Sequence, residues 1–162
     1  MTRAAVLTIS DRSFAGIQED LSGAIAIQML SERLGVEDVH AEIVPDDQST
    51  IEAKLTGWVD TGGYNLILTS GGTGISPRDV TPQATSKIVD YQVPGLAEVM
   101  RTTSLKKTPM AALSRAVAGV RGRTLIINLP GSPRGVRECL EAILPVLPHA
   151  LEQLASGGGH PL

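Results

Sequence analysis

The chain is 162 residues long, with 42% hydrophobic residues, 19% charged residues and a formal net charge of −3 at pH 7, which predicts a single globular domain over residues 1–155 and a flexible tail over 156–162. The weak negative charge and the low aromatic content, 2% of all residues, disfavour a surface that binds nucleic acid. Because no apolar run is long enough to span a bilayer and the amino terminus leads directly into a strand-like run, we expect a cytoplasmic protein with neither a membrane anchor nor a signal peptide.

The first half of the chain alternates between strand-like and helix-like segments. Strand-like runs cover residues 4–9, 39–44 and 64–70, and helix-like runs cover residues 20–34 and 49–60. Gly35 ends the first helix, and Ser49 is placed to cap the second. The third strand is almost continuously apolar, as is typical of a parallel strand covered on both faces. This alternation predicts an α/β protein, a three-layer α/β/α fold with a mostly parallel sheet and helices on both faces.

The second half of the chain is less regular. Helices are predicted over residues 81–90, 94–104 and 133–154, and strands over 116–120 and 124–129. Each of these helices has a proline in its first turn, where the missing N–H group costs little. The two strands are separated only by Arg121-Gly122-Arg123, so they form either a hairpin or two neighbouring strands.

Polar and glycine-rich segments follow the predicted strands. In an open parallel sheet, ligands bind at the carboxyl ends of the strands. The segments expected at that edge are 10–11, 45–47, 70–74 and 128–133. The sequence therefore predicts a ligand site built from these four loops.

Glycines 71, 72 and 74 indicate an anion site, because glycine lets backbone N–H groups approach a phosphate closely. A tight turn without a ligand would use the same residues. The following Arg78 and Asp79 favour function, since a guanidinium can clamp a phosphate and a carboxylate can hold Mg²⁺. The loop lacks the Lys-Ser/Thr of a P-loop and the third glycine of a dinucleotide fingerprint.

Two further loops have both a functional and a purely structural interpretation. Asp46 or Asp47 could cap the helix that follows, or Asp46 could share a magnesium ion with Asp79 across the rim. Gly131 and the first turn of the helix at Pro133 could bind a second anion, or form an ordinary strand-to-helix turn capped by Ser132.

The cysteine and the histidines are not expected to take part in the chemistry. Cys139 follows a helical run and is predicted to be a small buried hydrophobic residue. His40, His149 and His160 are scattered along the chain without the spacing of metal ligands or of a catalytic triad.

The chain resembles the molybdopterin adenylyltransferases of the MogA and MoaB type, the family that includes the G domain of gephyrin. The residues that carry the resemblance are Ser10-Asp11-Arg12, Asp20-Leu-Ser-Gly23, Pro45-Asp46, Gly71-Gly-Thr-Gly74, Arg78-Asp79-Val-Thr-Pro82, Ala84, Glu98-Val-Met-Arg101, Leu113-Ser-Arg115 and Asn128-Leu-Pro-Gly-Ser-Pro133. They are spread over nearly the whole chain.

The resemblance implies a homotrimer, or a hexamer of two trimers, that transfers AMP from Mg²⁺-bound ATP to the terminal phosphate of molybdopterin and releases pyrophosphate. A molybdenum insertase would receive the product. By position, Asp46 and Asp79 would be the essential carboxylates and would hold Mg²⁺. The residues expected to bind pterin and nucleotide are Ser10, Asp11, Ser70, Gly71, Gly72, Thr73, Gly74, Arg78, Ser114, Pro130, Gly131, Ser132 and Pro133.

The sequence departs from this family in two places. Position 83 is Gln where members commonly carry an acid, and the carboxyl end is as short as in the MoaB type. The short end leaves a second interpretation open, a molybdopterin-binding or scaffold protein without catalysis. An insertase would be much longer, and a competence-damage protein usually has a Gly-Gly-Leu-Gly loop, whereas Thr73 stands here.

Overall fold

A computed structural model describes residues 1–157 as an α/β/α arrangement. Within these residues the strands are β1 (Ala4–Ile9), β2 (Val39–Val44), β3 (Leu66–Ser70), β4 (Tyr91–Gln92), β5 (Ala118–Arg121) and β6 (Thr124–Leu129). The helices in the same part of the chain are α1 (Asp11–Phe14), α2 (Leu21–Leu34), α3 (Gln48–Asp60), α4 (Thr81–Ile88), α5 (Pro94–Leu105), α6 (Pro133–Ile143) and α7 (Leu147–Ser156), with 3₁₀ turns at Pro109–Leu113 and Leu144–Val146. Over residues 1–157, no helix combines the length and apolar character needed to cross a membrane.

The six strands form one sheet in the order β2-β1-β3-β6-β5-β4. The pairs β1/β2, β1/β3 and β3/β6 are parallel, whereas β5/β6 and β4/β5 are antiparallel. This confirms the predicted, mostly parallel sheet and settles the last two predicted strands as a hairpin. Because β2 and β3 lie on opposite sides of β1, the strand order reverses between β1 and β3, and loops diverge there.

Helices cover both faces of the sheet, as expected for a doubly covered α/β protein. Helices α2, α5, α6 and α7 pack on one face around Leu66, Leu68 and Ile127. Helices α3 and α4 pack on the other face around Leu7 and Ile67. Alternate residues of β3 therefore enter different cores, which explains why this strand is apolar throughout.

Several predicted boundaries were wrong, among them the starts of β3 and β5, which each lie two residues later than predicted. The helix predicted over 133–154 is two helices, because Pro145 and Pro148 lack the N–H groups that would continue the helical ladder. Helix α3 is capped by Asp47, which confirms the capping alternative predicted for Asp46 or Asp47 and contradicts the one for Ser49: Oδ2 of Asp47 accepts from the backbone N–H of Thr50 at 2.9 Å. Helix α4 ends at Ile88, two residues earlier than predicted.

The predicted tail begins later than expected. Ser156 is the last residue of α7, and Gly157 caps that helix with a φ of +70°. The remainder of the predicted tail, residues 158–162, lies outside the described residues.

Candidate functional site

The candidate site lies at the carboxyl ends of β1 and β3, where the strand order reverses. The register pairs Ile9 with Val44 and Ser70 with Leu129, so all four parallel strands end at the same edge. The loops that follow these strands therefore converge, as the sequence predicted.

Gly71 and Gly72 turn the chain sharply as it leaves β3. Their φ angles are +104° and +66°, a region that side chains rarely adopt. A Cβ atom on Gly71 would collide with the backbone oxygen of Ile9 at the end of β1. The loop after β3 thus passes directly over the end of β1, where only glycine fits.

The same loop presents unpaired backbone donors. Among residues 1–157, none accepts a hydrogen bond from the backbone N–H groups of Gly72, Thr73 or Gly74. Successive free N–H groups in a glycine loop form a concave anion site. The arrangement supports the predicted role of this segment in holding a phosphate.

The loop from Pro130 to Pro133 lies against the glycine loop. The Ser70 hydroxyl donates to the Pro130 carbonyl at 3.0 Å, and the Ser22 hydroxyl donates to the Gly131 carbonyl at 2.6 Å. A Cβ atom on Gly131 would stand 3.4 Å from Cα of Gly71. Since Ser132 also caps α6 by accepting from the Gly135 N–H at 3.0 Å, this loop is fixed at both ends.

Asp46 is held in place by its backbone and by the loop after β1. Its N–H donates to Oδ1 of Asp11 at 2.9 Å, and its Oδ2 accepts from the Asp11 N–H at 2.9 Å. Because Asp47 caps α3, Asp46 is not needed as a cap. Its other oxygen, Oδ1, faces Gly72: a Cβ atom built there would lie 3.1 Å from it.

Arg78 pairs with Asp11 across the rim. Its Nε donates to Oδ2 of Asp11 at 3.0 Å, and its Nη2 donates to Oδ1 at 2.9 Å. The hydrogen bond from the Asp46 backbone lowers the pKa of Asp11 most, and the hydrogen bonds from Arg78 lower it further. Arg78 therefore ties its own loop to the Asp11–Asp46 pair, whereas its predicted contact with a phosphate stays a prediction.

Asp79 is the second predicted carboxylate, and it stands close to the glycine loop. Its Oδ2 accepts from the Ser76 N–H at 3.0 Å. A Cβ atom on Gly74 would lie 2.8 Å from the same oxygen. The Asp79 carboxylate is therefore directed back toward the loop that holds the free N–H groups.

Asp46 and Asp79 line one cleft of about 230 Å³, which we call the acidic cleft. Its lining residues are Thr8, Ile9, Ser10, Ser13, Gln18, Glu19, Asp20, Leu21, Ser22, Asp46, Ser70, Gly71, Gly72, Asp79, Gly131 and Pro133. Burial raises the pKa of Asp46, and the charges of Asp11 and Asp79 raise it further against the opposing hydrogen bond from Asp11. The cleft thus concentrates negative charge in a partly buried place, which favours a bound cation.

A second cavity of about 380 Å³, which we call the apolar cavity, opens on the other side of the same two loops. It is lined by Thr73, Gly74, Ala97, Met100, Arg101, Ser104, Lys107, Thr108, Met110, Ala111, Leu113, Ser114, Ala116, Asn128, Pro130, Ser132, Arg134, Gly135, Glu138 and Cys139. The glycine loop and the Pro130 loop thus form a wall between the two spaces. Gly71, Gly72, Gly131 and Pro133 face the acidic cleft, while Thr73, Gly74, Pro130 and Ser132 face the apolar cavity.

The structure brings most of the predicted site residues to one of these two spaces. The exceptions are Asp11 and Arg78, which line neither and pair with each other. Sequence reasoning assigned no role to Glu19, Asp20 or Ser22, which line the acidic cleft. Asp20 could have been recognised in the sequence as the N-cap of α2. Its Oδ1 accepts from the Gly23 N–H at 2.8 Å, and the N-terminus of that helix faces the cleft.

The residues set aside by sequence reasoning have structural surroundings. Cys139 is buried as predicted, and burial raises the pKa of its thiol. His40 stacks with Tyr64 at a centroid distance of 5.9 Å near the amino ends of the strands, away from both spaces. His160 lies outside the described residues. Within residues 1–157, no group of three or more His, Cys, Asp or Glu side chains could hold a metal ion.

Comparisons with known proteins show the family of this chain. Residues 5–149 match the family described as "probable molybdopterin binding domain". The molybdopterin adenylyltransferase of Helicobacter pylori strain J99 is 47% identical over 148 residues, which cover 91% of this chain and 84% of that protein. The molybdopterin adenylyltransferase of Escherichia coli K12 is 39% identical over 142 residues, covering 87% of this chain and 73% of that protein.

A solved structure shows the same fold over the whole length. The molybdopterin biosynthesis enzyme MoaB from Thermus thermophilus matches with a TM-score of 0.90 and 53% sequence identity, covering 98% of this chain and 99% of that one. The family match includes both carboxylates of the acidic cleft and both loops of the wall, since all of them lie within residues 5–149.

Proposed function

Because this chain belongs to the molybdopterin-binding domain family, we propose that it is a molybdopterin adenylyltransferase of molybdenum cofactor biosynthesis. It transfers AMP from ATP to the terminal phosphate of molybdopterin and releases pyrophosphate. Relatives of that name at 39% and 47% identity support the assignment. The observation that carries it is the convergence of Asp46, Asp79 and the free N–H groups of the glycine loop at the point where the strand order reverses.

The acidic cleft fits a magnesium ion bound together with a triphosphate. Mg²⁺ is usually held by one or two carboxylates, with phosphate oxygens and water as its other ligands. Asp46 and Asp79 are such a pair, and within residues 1–157 no hydrogen bond reaches Oδ1 of either side chain. These two residues would hold the ion, which when bound would neutralise charge on the phosphate oxygens.

The apolar cavity fits the pterin. Met100, Met110 and Leu113 provide apolar contact, and the hydroxyls of Thr108 and Ser114 provide a few polar groups, the usual composition of a small-molecule site. The wall between the two spaces would then hold the phosphate of molybdopterin near the nucleotide.

The residues of the chain contribute chiefly by positioning. An oxygen of the molybdopterin phosphate attacks the α-phosphorus of ATP, a new P–O bond forms, and the bond to the leaving pyrophosphate breaks. The attacking oxygen is already ionised, so no general base is required. The N–H groups of Gly72, Thr73 and Gly74 would orient phosphate oxygens and stabilise the charge that develops in the transition state.

We further propose the setting in which the enzyme works. It acts in the cytoplasm as a homotrimer, or a hexamer of two trimers, and passes adenylylated molybdopterin to a molybdenum insertase. Light scattering coupled to size-exclusion chromatography measures the oligomeric state directly, and a monomer would contradict that part of the proposal.

The decisive experiment supplies the enzyme with ATP, Mg²⁺ and molybdopterin and measures pyrophosphate release. We expect turnover that requires all three, with adenylylated molybdopterin as the second product. Saturable binding of molybdopterin without pyrophosphate release would contradict catalysis and support the binding-protein alternative.

A further inference from the structure

We propose that Arg115 is a positioning residue that fixes the loop carrying Asp79, and thereby sets where the second carboxylate stands in the acidic cleft. The proposal deepens the proposed function and rests on it for the role of Asp79. It assigns a task to a side chain that touches neither the acidic cleft nor the apolar cavity.

Arg115 donates hydrogen bonds to both ends of the loop from Gly74 to Asp79. Its Nε donates to the Gly74 carbonyl at 2.7 Å, and its Nη2 donates to the Asp79 carbonyl at 2.7 Å. The backbone N–H of Arg115 also donates to the Thr73 carbonyl at 2.8 Å. One residue therefore joins the start and the end of the loop to the segment that precedes β5.

Besides Arg115, the loop has one other anchor, the ion pair between Arg78 and Asp11. Residues 75–78 are exposed and belong to no helix or strand. The internal hydrogen bonds join only Ser76 and Asp79: the Asp79 N–H donates to the Ser76 carbonyl at 2.9 Å, and the Ser76 N–H donates to Oδ2 of Asp79 at 3.0 Å. Since an exposed loop with few internal hydrogen bonds opens easily, its geometry depends on these anchors, and Arg115 is the one that joins its two ends.

The segment that carries Arg115 is itself fixed. Nη1 of Arg101, on α5, donates to the carbonyls of Ser114 and Ala116 at 3.2 and 2.9 Å. These two carbonyls flank Arg115, so helix α5 fixes the backbone from which the Arg115 side chain extends. A chain of contacts thus runs from α5 through Arg115 to the Asp79 loop.

The contacts require a guanidinium. Arginine presents five N–H donors in a rigid planar fork, whereas lysine presents one compact ammonium group. Arg115 uses its fork on three separate acceptors, since Nη1 also donates to Oε1 of Gln83 at 3.1 Å. Gln83 supplies a neutral acceptor on α4. A lysine could satisfy only part of this set.

The test uses Arg115→Lys, which keeps the charge, with Arg121→Lys as the matched control. Arg121 also joins separate elements through a guanidinium, donating to Asp60 at 2.9 Å and to the Ile88 carbonyl at 2.9 Å, but at the opposite end of the sheet. Hydrogen–deuterium exchange of the Ser76 and Asp79 amides is measured in both variants, without ligands.

We expect exchange of these two amides to be at least about tenfold faster in Arg115→Lys and unchanged in Arg121→Lys, because local opening controls exchange. In the adenylylation assay, Arg115→Lys should lower kcat by about tenfold or more and raise the Mg²⁺ concentration for half-maximal rate, while KM for molybdopterin stays within about twofold. For Arg115→Ala, added guanidinium ion should restore part of the turnover.

Unchanged exchange in Arg115→Lys, or equal acceleration in both variants, overturns the proposal. If the wild-type protein shows no adenylylation activity, the proposed function is overturned. Exchange of the Ser76 and Asp79 amides then still tests whether Arg115 fixes the loop that carries Asp79. The positioning role of Arg115 would also be overturned if KM for molybdopterin rose in Arg115→Lys by as large a factor as kcat fell. Arg115 would then act on pterin binding rather than on Asp79.

Discussion

At the scale of single residues, the two oxygens of Asp46 have different surroundings. Oδ2 accepts the Asp11 N–H, whereas Oδ1 faces Gly72 and the acidic cleft. The two oxygens of Asp79 also differ: Oδ2 accepts a hydrogen bond from the Ser76 N–H, whereas among the described residues no hydrogen bond reaches Oδ1. Each carboxylate is thus oriented by one oxygen, and within residues 1–157 its other oxygen has no hydrogen bond, an arrangement that fits the proposed metal site.

Replacing either carboxylate should stop catalysis while leaving the pterin bound. We expect Asp46→Ala and Asp79→Ala each to lower kcat for adenylylation by about 10²-fold or more, since each removes a charged group from the phosphate site. Pyrophosphate release measures the rate, and equilibrium binding of molybdopterin should stay within about twofold because the apolar cavity is intact.

The control for this experiment is Asp60→Ala, which removes a carboxylate that pairs with Arg121 far from the cleft. It should leave turnover unchanged. Near-normal turnover in both Asp46→Ala and Asp79→Ala would refute the assigned metal site.

The sequence identified these two carboxylates but not what surrounds them. Asp46 and Asp79 lie in loops that follow parallel strands of the same sheet, so their convergence could be predicted from the strand pattern. The pairing of Arg78 with Asp11 spans 67 positions and depends on how two loops meet. The same is true of Arg115 and Asp79, because periodicity and turn chemistry describe local segments and contain no information about distant loops.

At the scale of secondary structure, the cap of α3 has a consequence for the site. Asp47 accepts from the backbone N–H of Thr50 at 2.9 Å and from its hydroxyl at 2.6 Å. Hydrogen bonds from Thr50 and Ser49 lower the pKa of Asp47 below its usual 3.8. Because Asp47 performs this task, its neighbour Asp46 is left for the acidic cleft.

Removing this cap should destabilise the fold in a pH-dependent way. At pH 7, Asp47→Ala is expected to lower Tm by roughly 2–4 °C, since an N-cap hydrogen bond is lost. A carboxylate with a lowered pKa stabilises the folded state above pH 3.8, and the stabilisation is lost as the pH falls through the lowered value. The difference in Tm between wild type and variant should therefore narrow below about pH 4, as thermal unfolding followed by circular dichroism will measure.

Ser49→Ala is the control for the cap, because Ser49 only donates its hydroxyl to Asp47 at 2.9 Å. It should change Tm less than Asp47→Ala does. A larger effect of Ser49→Ala would contradict the assignment of Asp47 as the cap.

Helix and strand positions were largely predictable, and the misses have physical causes. Hydrophobic periodicity located β1, α2, β3 and α5 to within two residues. The break between α6 and α7 was missed because the apolar spacing continues across Pro145 and Pro148. Strand β4 has only two residues, both exposed, so no alternation marks it.

At the scale of the whole molecule, both cores share the central sheet. Leu68 enters one core and its neighbour Ile67 enters the other, and both side chains are fully buried. Because β3 belongs to both cores, neither should unfold without the other. This supports the predicted single domain.

A large-to-small substitution in either core should therefore shift one common transition. Leu140→Ala, on α6, and Leu55→Ala, on α3, are each expected to cost about 2–5 kcal/mol of unfolding free energy, because both side chains are fully buried. Urea unfolding followed by tryptophan fluorescence, which reports Trp58, and by circular dichroism should give coincident curves for each variant.

The control for both core variants is Leu105→Ala, whose side chain is 47% exposed; it should change the free energy of unfolding by less than about 1 kcal/mol. Two separated transitions in either core variant would contradict a single domain.

The wall between the acidic cleft and the apolar cavity has a consequence for inhibitor design. Neighbouring residues of one loop face opposite spaces, so the two occupants would be separated by no more than that loop. With the pterin in the apolar cavity and the nucleotide in the acidic cleft, as proposed above, a compound that joins a flat bicyclic ring to a nucleoside through a short anionic tether would engage both spaces at once. Once one half of the compound is bound, the short linker holds the other half at an effective concentration in the millimolar range. The affinity of the whole compound would therefore exceed that of either half by about 10²–10⁴-fold.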